Sequence, residues 1–151
     1  MENRLMAVRK AVAGYIARSD NLLKNSAHAH GVAGFAALLA AKRGLDPVLA
    51  GVMGLLHDIH YIIEGTYNRH DVLGAEKAEK ILRDTGLFSE EEIKTVFQAI
   101  SRHDLRQEVH EPYDEVLKDA DIIYPYFTEL PEVIKPDVAP RISSVIGELG
   151  L

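Results

Sequence analysis

The ten residues from Gly51 to His60, GVMGLLHDIH, constrain this chain more than any other stretch. A run of apolar and small residues ends on an adjacent histidine and aspartate, His57 and Asp58. Burying unpaired polar groups costs on the order of several kcal/mol or shifts their pKa. Something must therefore neutralise and orient this pair, and a metal ion does both. Upstream, Asp46 is an N-cap residue followed by proline at the first helical position, so the stretch is expected to be helical from about Pro47 to Asp58. That places His57 and Asp58 in its last turn.

Elsewhere helical periodicity recurs and strand alternation does not. Leu5, Val8, Val12, Tyr15 and Ile16 mark a first amphipathic helix that ends near Ser19-Asp20-Asn21. A second begins around the N-cap residue Ser26, carries Val32, Phe35, Ala36, Leu39 and Ala40 on one face, and stops at Gly44. After an irregular segment from Tyr61 to Asn68, a fourth helix runs from about His70 to Asp84 with Gly86 behind it. Ser89 and Glu92 form a capping box for a fifth, with the stripe Ile93, Val96, Phe97 and Ile100. The polar segment from Asp104 to Pro112 reads as a loop. A sixth helix covers Tyr113 to Tyr124 and breaks at Pro125, and a last one runs from about Val138 to Leu149. The expectation is an all-α bundle of about six to seven helices, with residues 1–151 as one domain, a motif-bearing core over 25–124 and a C-terminal helical tail over 125–151.

Composition narrows the function. The chain has 151 residues, 47% of them hydrophobic, and a formal net charge of -6, so it can bury a substantial core. Charges of both signs are interspersed and no Lys/Arg stripe appears, which argues against a nucleic-acid polymer as partner. Cysteine is absent, which excludes disulfides, thiolate metal ligation and cysteine nucleophiles. The N-terminus MENRLMAVRK lacks the apolar core of a signal peptide, and the longest uncharged apolar run, Gly31 to Ala41, is too short to span a bilayer. The expectation is a soluble, cytoplasmic protein with no membrane partner.

Helical geometry sorts the histidines. His28 is followed at i+4, i+7 and i+11 by Val32, Phe35 and Leu39, so it faces the core, and His30 is turned to the other side. His57 stands on the stripe of Leu49 and Met53. Asp58 stands on the row of Gly51 and Gly54, where missing side chains let another helix approach. His70 leads the row of Leu73, Gly74, Ala78 and Ile81, and His103 follows Val96 and Ile100. A single inward histidine is more often a hydrogen-bonded core residue than a ligand. Four together, on different helices near their ends, suit a site of mixed nitrogen and oxygen ligands. His30, His60 and His110 read as surface or supporting groups.

This pattern resembles the HD-domain superfamily of metal-dependent phosphohydrolases, over about Asn25 to Tyr124. The family's order is a histidine on an early helix, an adjacent His-Asp and a later aspartate. The matching residues are His28 in HAHGVAGFAALLA, His57 and Asp58 in LLHDI, and Asp121 in LKDADII. Periodicity does not choose between Asp119 and Asp121; the Ala-Asp dipeptide matches the family's last ligand. His70 in RHDVLGAEKAEKIL and His103 in AISRHD resemble the histidines that help hold a second metal in dinuclear members, where the Asp of the pair bridges. Many relatives have two adjacent histidines where this chain has Arg102-His103-Asp104.

The resemblance implies one or two divalent transition metal ions, Mn, Fe, Co, Ni or Zn with Mg also compatible, held by His28, His57, Asp58 and Asp121, with His70 and His103 at a second ion. The implied reaction is hydrolysis of a small phosphate ester or nucleotide by metal-activated water, with His57 and Asp58 at its centre. Lys118, Arg69 and Arg102, each close in sequence to a proposed ligand, are candidates to bind substrate, and Lys118, one turn before Asp121, is also the candidate catalytic cation. Asp104 or Glu64 could relay protons. Pocket walls are expected in the segments 61–69 and 104–113. Two further readings stay open: a dinuclear iron oxygenase of the same superfamily, and a regulatory module that binds metal or nucleotide without turnover.

Overall fold

The computed structural model describes residues 3–151, and among the described residues all regular structure is helical. Eight helices follow in order: α1 Arg4–Ile16, α2 Leu22–Lys42, α3 Pro47–Leu56, α4 Ile59–Glu64, α5 His70–Thr85, α6 Glu90–Arg102, α7 Pro112–Glu129 and α8 Ala139–Leu149. The all-α expectation holds, with one helix more than the sequence suggested. No described helix is long and apolar enough to cross a membrane.

The centre of the bundle is α3. From Leu49 to Leu56 every residue is buried, as a helix apolar on all sides requires. The Asp46 side chain accepts a hydrogen bond from the Val48 N–H at 2.8 Å and starts the helix, with Pro47 at its first position. Helix α2 packs along it, and α1, α6 and α7 close the remaining sides. The approach of α2 and α3 depends on Gly54. A Cβ built there would lie 2.5 Å from the Ala33 Cα and 2.6 Å from its nitrogen, so the two backbones touch where a side chain would stand. Gly31 instead makes room for a side chain of α7, since a Cβ there would overlap the Tyr124 ring.

Several boundaries differ from expectation, each for a local reason. Helix α2 starts at Leu22 rather than Ser26 because the Asn21 side chain already accepts from the Lys24 N–H at 3.2 Å. Helix α1 ends at Ile16, and the Ser19 hydroxyl then donates to the Ile16 carbonyl at 2.7 Å. The chain does not carry α3 through Asp58. His57 is its C-cap, and Asp58, at φ -104° and ψ 19°, turns into the short α4. Helix α7 does not break at Pro125 but continues to Glu129. Proline removes the bond to the carbonyl four residues back, here that of Asp121, and crowds it; packing offsets this, since Phe127 beyond it stacks on Phe35 with ring centroids 6.0 Å apart. The capping box at Ser89 and the loop between α6 and α7 are as the sequence predicts.

Candidate metal centre

The inward histidines converge with two aspartates on one small volume. His57, the C-cap of α3, and His28 on α2 bring their Nε2 atoms to 3.1 Å. Asp58 Oδ2 lies 3.4 Å from each of these nitrogens. Asp121, on α7, places Oδ1 at 3.4 Å from His28 Nε2 and 3.2 Å from His57 Nε2. A second group lies on the other side of Asp58. His70 and His103 meet Nε2 to Nε2 at 3.2 Å, and Asp58 Oδ1 is 3.7 Å from the first and 3.9 Å from the second. The two oxygens of Asp58 thus face two separate pairs of imidazoles.

The backbone sets the tautomers. The Nδ1–H of His57 donates to the Gly54 carbonyl at 2.8 Å, that of His70 to the Tyr67 carbonyl at 3.0 Å, and that of His103 to the Ile100 carbonyl at 2.6 Å. In every case the acceptor lies three residues back, in the direction in which helical side chains lean. With Nδ1 carrying the proton, each neutral ring presents a bare lone pair at Nε2. The lone pairs of His70 and His103 therefore point at one another, which is favourable only around a cation. Ligand nitrogens held about 2.0–2.1 Å from one ion lie roughly 2.8–3.4 Å apart at angles between right and tetrahedral, so both pairs fit.

The electrostatics agree. Burial alone would raise the Asp58 pKa and the Asp121 pKa, but without a metal ion the positive charge of protonated His57, and the hydrogen bonds that His28 and His57 donate when protonated at Nε2, hold both well below the ordinary carboxylate range. His57 is fully buried, which opposes charge, yet Asp58 and Asp121 raise its pKa well above the usual imidazole value. His28 is raised for a similar reason. His103 is lowered, first by burial and then by the neighbouring His57, which keeps its lone pair available. The carboxylates thus generate a field that favours positive charge between them.

A cavity of about 720 Å³ opens onto this cluster. His28, Asp58, His70, His103 and Asp121 line it, and the expected segments contribute Tyr61, Ile62, Tyr67, Asp104 and Arg106. Asp104 lies 3.3 Å from His70 Nε2 and 3.7 Å from His103 Nε2. A second carboxylate therefore lies beside this pair of imidazoles, as Asp121 lies beside the first pair. Asp119, the alternative to Asp121, is taken up by Arg43 at 2.7 Å and Arg141 at 2.9 Å, away from the cluster.

The three cations named from sequence do not line the cavity. Lys118 is fully buried, and its Nζ donates to the Glu108 carbonyl at 2.9 Å and to Glu115 at 2.8 Å and lies 2.7 Å from His110 Nδ1. Helical side chains lean toward the N-terminus, so Lys118 reaches back to the loop before α7 instead of forward to Asp121. Arg102 is directed to Asp114 at 3.4 Å. Arg69 is exposed, in a left-handed backbone conformation at φ 52° just ahead of His70.

The cations that do line the cavity are Lys24, Arg106 and Lys135. Arg106 pairs with Asp121 Oδ2 at 2.8 Å. Lys24 could have been found, since it stands one turn before His28 on the same helix face; Arg106 sits in an aperiodic loop and gives no such signal. Among the other histidines, His30 is exposed and bonds the Ser26 carbonyl at 2.9 Å. His110 supports Lys118, and His60 is buried rather than at the surface, beside Gly74.

The comparison with protein families agrees with this arrangement: a family model described as HD domain matches residues 25–125. Comparisons with curated proteins and with solved structures give no match. The matched region begins ahead of His28 and ends just beyond Asp121, taking in every member of the cluster. The chain therefore belongs to the HD-domain family, the superfamily of metal-dependent phosphohydrolases.

Proposed function

We propose that this protein is a metal-dependent phosphohydrolase that cleaves a small phosphate ester at a centre of two divalent ions. The observation that carries this reading is the division of Asp58 between two facing pairs of imidazoles. His28, His57, Asp58 and Asp121 would hold one ion, and Asp58, His70, His103 and Asp104 the other. Imidazole nitrogen with carboxylate oxygen suits Mn, Fe, Co, Ni or Zn better than Mg.

Ions bound there supply a lowered pKa for coordinated water and positive charge for phosphoryl oxygens. The remaining work falls to the chain. The backbone carbonyls of Gly54, Tyr67 and Ile100 fix three imidazoles in one tautomer and orientation, as partners behind metal-binding histidines do. Arg106, on the cavity wall beside Asp121, meets the equatorial charge of the phosphoryl group. Lys24 adds charge from α2. In the reaction, a water oxygen bonds to phosphorus, the ester P–O bond breaks, and the alcohol departs with a proton.

The test is turnover of phosphate monoesters and diesters, nucleotides among them, by protein loaded with each metal in turn, alongside oxygen uptake. Hydrolysis that disappears with bound metal in His57→Gln and Asp58→Asn supports the reading. Oxygen-dependent consumption of substrate by the iron form, without phosphate release, would replace it with an oxygenase.

A further inference from the structure

The cavity over Asp58 is larger than a phosphoryl group needs, and its lining combines the metal-ligating cluster with apolar side chains. At about 720 Å³ it falls within the range of sites that enclose a whole organic ligand, roughly 300–1,000 Å³. The carboxylates and imidazoles form part of its lining, with Arg106 beside Asp121. An apolar part is formed by Ile122 and Pro125 of α7, Ile134 and Val138 of the connection that follows, and Ile142 of α8. Tyr61 and Tyr67, stacked at 4.1 Å, supply aromatic surface on the same cavity.

The wall of residues 122–142 offers few polar groups to an organic substituent. The whole lining contains no serine, threonine or glutamine; beside the cluster it presents the hydroxyls of Tyr61, Tyr67 and Tyr126, the ammonium of Lys24, and one side-chain amide, Asn25, which donates from Nδ2 to the Ser19 hydroxyl at 2.9 Å. The charged residues near the apolar wall, Glu129 and Lys135, are exposed to solvent. A nucleobase or sugar pressed against Ile134, Val138 and Ile142 would leave hydrogen-bonding groups unpaired, which a selective site does not do.

We infer that the substrate is a phosphate ester of an apolar alcohol, alkyl or aryl, with its phosphate at the metal cluster and its organic part against the wall built by residues 122–142. This rests on the hydrolase reading for the fate of the phosphate, and on the cavity alone for recognition of the organic part. Each methylene moved from water onto that wall strengthens binding by about fourfold. Four methylenes give roughly 200-fold.

The experiment compares butyl, hexyl and octyl phosphate with adenosine 5′-monophosphate and glucose 6-phosphate on the metal-loaded full chain, reading kcat/KM. In parallel, calorimetry reads the affinity of butylphosphonate and octylphosphonate, which are not hydrolysed. The expected result is a rise in kcat/KM of about 100-fold or more from butyl to octyl, with the nucleotide and the sugar phosphate below octyl. Ile134 is partly exposed, so Ile134→Glu preserves the core and should flatten the rise. Hydrolysis with no dependence on chain length, or fastest with the nucleotide, overturns the inference and leaves the hydrolase reading standing. Tighter binding of octylphosphonate without hydrolysis of any ester overturns the hydrolase reading and supports the inference. A dependence on chain length unchanged in Ile134→Glu overturns the assignment of the wall.

Discussion

His70 and His103 stand Nε2 to Nε2 at 3.2 Å, each with its Nδ1–H given to the backbone carbonyl three residues behind it. Two rings locked in this way cannot hydrogen-bond one another while neutral, and a cation between them satisfies both. Metal stoichiometry should follow the two donor sets. His70→Ala and His103→Ala should each lower metal content by one ion per chain, and Asp58→Ala, which faces both sets, should lower it by more. Elemental analysis of desalted protein reads this, with circular dichroism to show that each variant is folded; metal content unaffected by His103→Ala would rule out a second ion.

Asp104 should act on one ion only. Its carboxylate lies beside His70 and His103, so Asp104→Asn should weaken the second ion by at least about tenfold, the scale on which groups supporting metal ligands act. Affinity for the first should be unchanged. Titration calorimetry resolves the two steps, and equal weakening of both would place Asp104 outside the donor set.

Gly54→Ala tests the approach of α2 and α3. The added Cβ would meet backbone atoms of Ala33 at 2.5 and 2.6 Å, and backbone cannot swing aside as a side chain can. The expected loss is about 3 kcal/mol, toward the upper end for overpacking, read from the urea midpoint. Because His57 bonds the Gly54 carbonyl, metal affinity should fall as well.

Lys118 and Arg106 should separate stability from catalysis. Lys118→Met leaves Glu115, His110 and the Glu108 carbonyl without their shared partner, and should cost about 3 kcal/mol of stability. Arg106 lies on the cavity wall, so Arg106→Gln should lower kcat/KM with a small change in the unfolding midpoint. The reverse pattern would return Lys118 to the role its sequence position suggests.

Acid should loosen the contact between α7 and α8 through Glu115. Burial would raise its pKa, but hydrogen bonds from Lys118 and Arg141 outweigh this and bring it to about 2. A carboxyl group depressed in the folded state stabilises fully above its unfolded pKa and loses that contribution as pH falls through the folded value. The stability difference between wild type and Glu115→Gln should therefore be largest near neutrality and shrink between about pH 4.5 and 2. Urea unfolding at stepped pH measures it, and a constant difference would contradict the assignment.

The histidines show how much of the centre could be read in advance. Their positions at i+4 and i+7 from apolar neighbours placed four rings inside, and all four lie in the cluster. The same rule failed for Lys118. Spacing along a helix says which face a residue starts from, and a long side chain chooses its end point by what it can reach. The segment 104–113 was expected to wall the pocket and Asp104 to relay protons, but Arg106 was not singled out within it because a loop has no period. The apolar wall escaped because residues 130–138 meet α7 and α8 only in the folded chain. Pro125 was read as a break on propensity, which the packing of Phe127 on Phe35 overrides.

The sequence by itself determined the approximate course of seven of the eight described helices and the inward faces of the four clustered histidines, because caps and the 3.6-residue period act over a few neighbouring residues. Only the tertiary structure decided that each oxygen of Asp58 faces a different pair of rings and that Arg106, on the cavity wall, pairs with Asp121. These partners are separated by many residues of chain, and their distances are set by how α2, α3, α6 and α7 cross and by the path of one loop. No local pattern in the chain records those quantities.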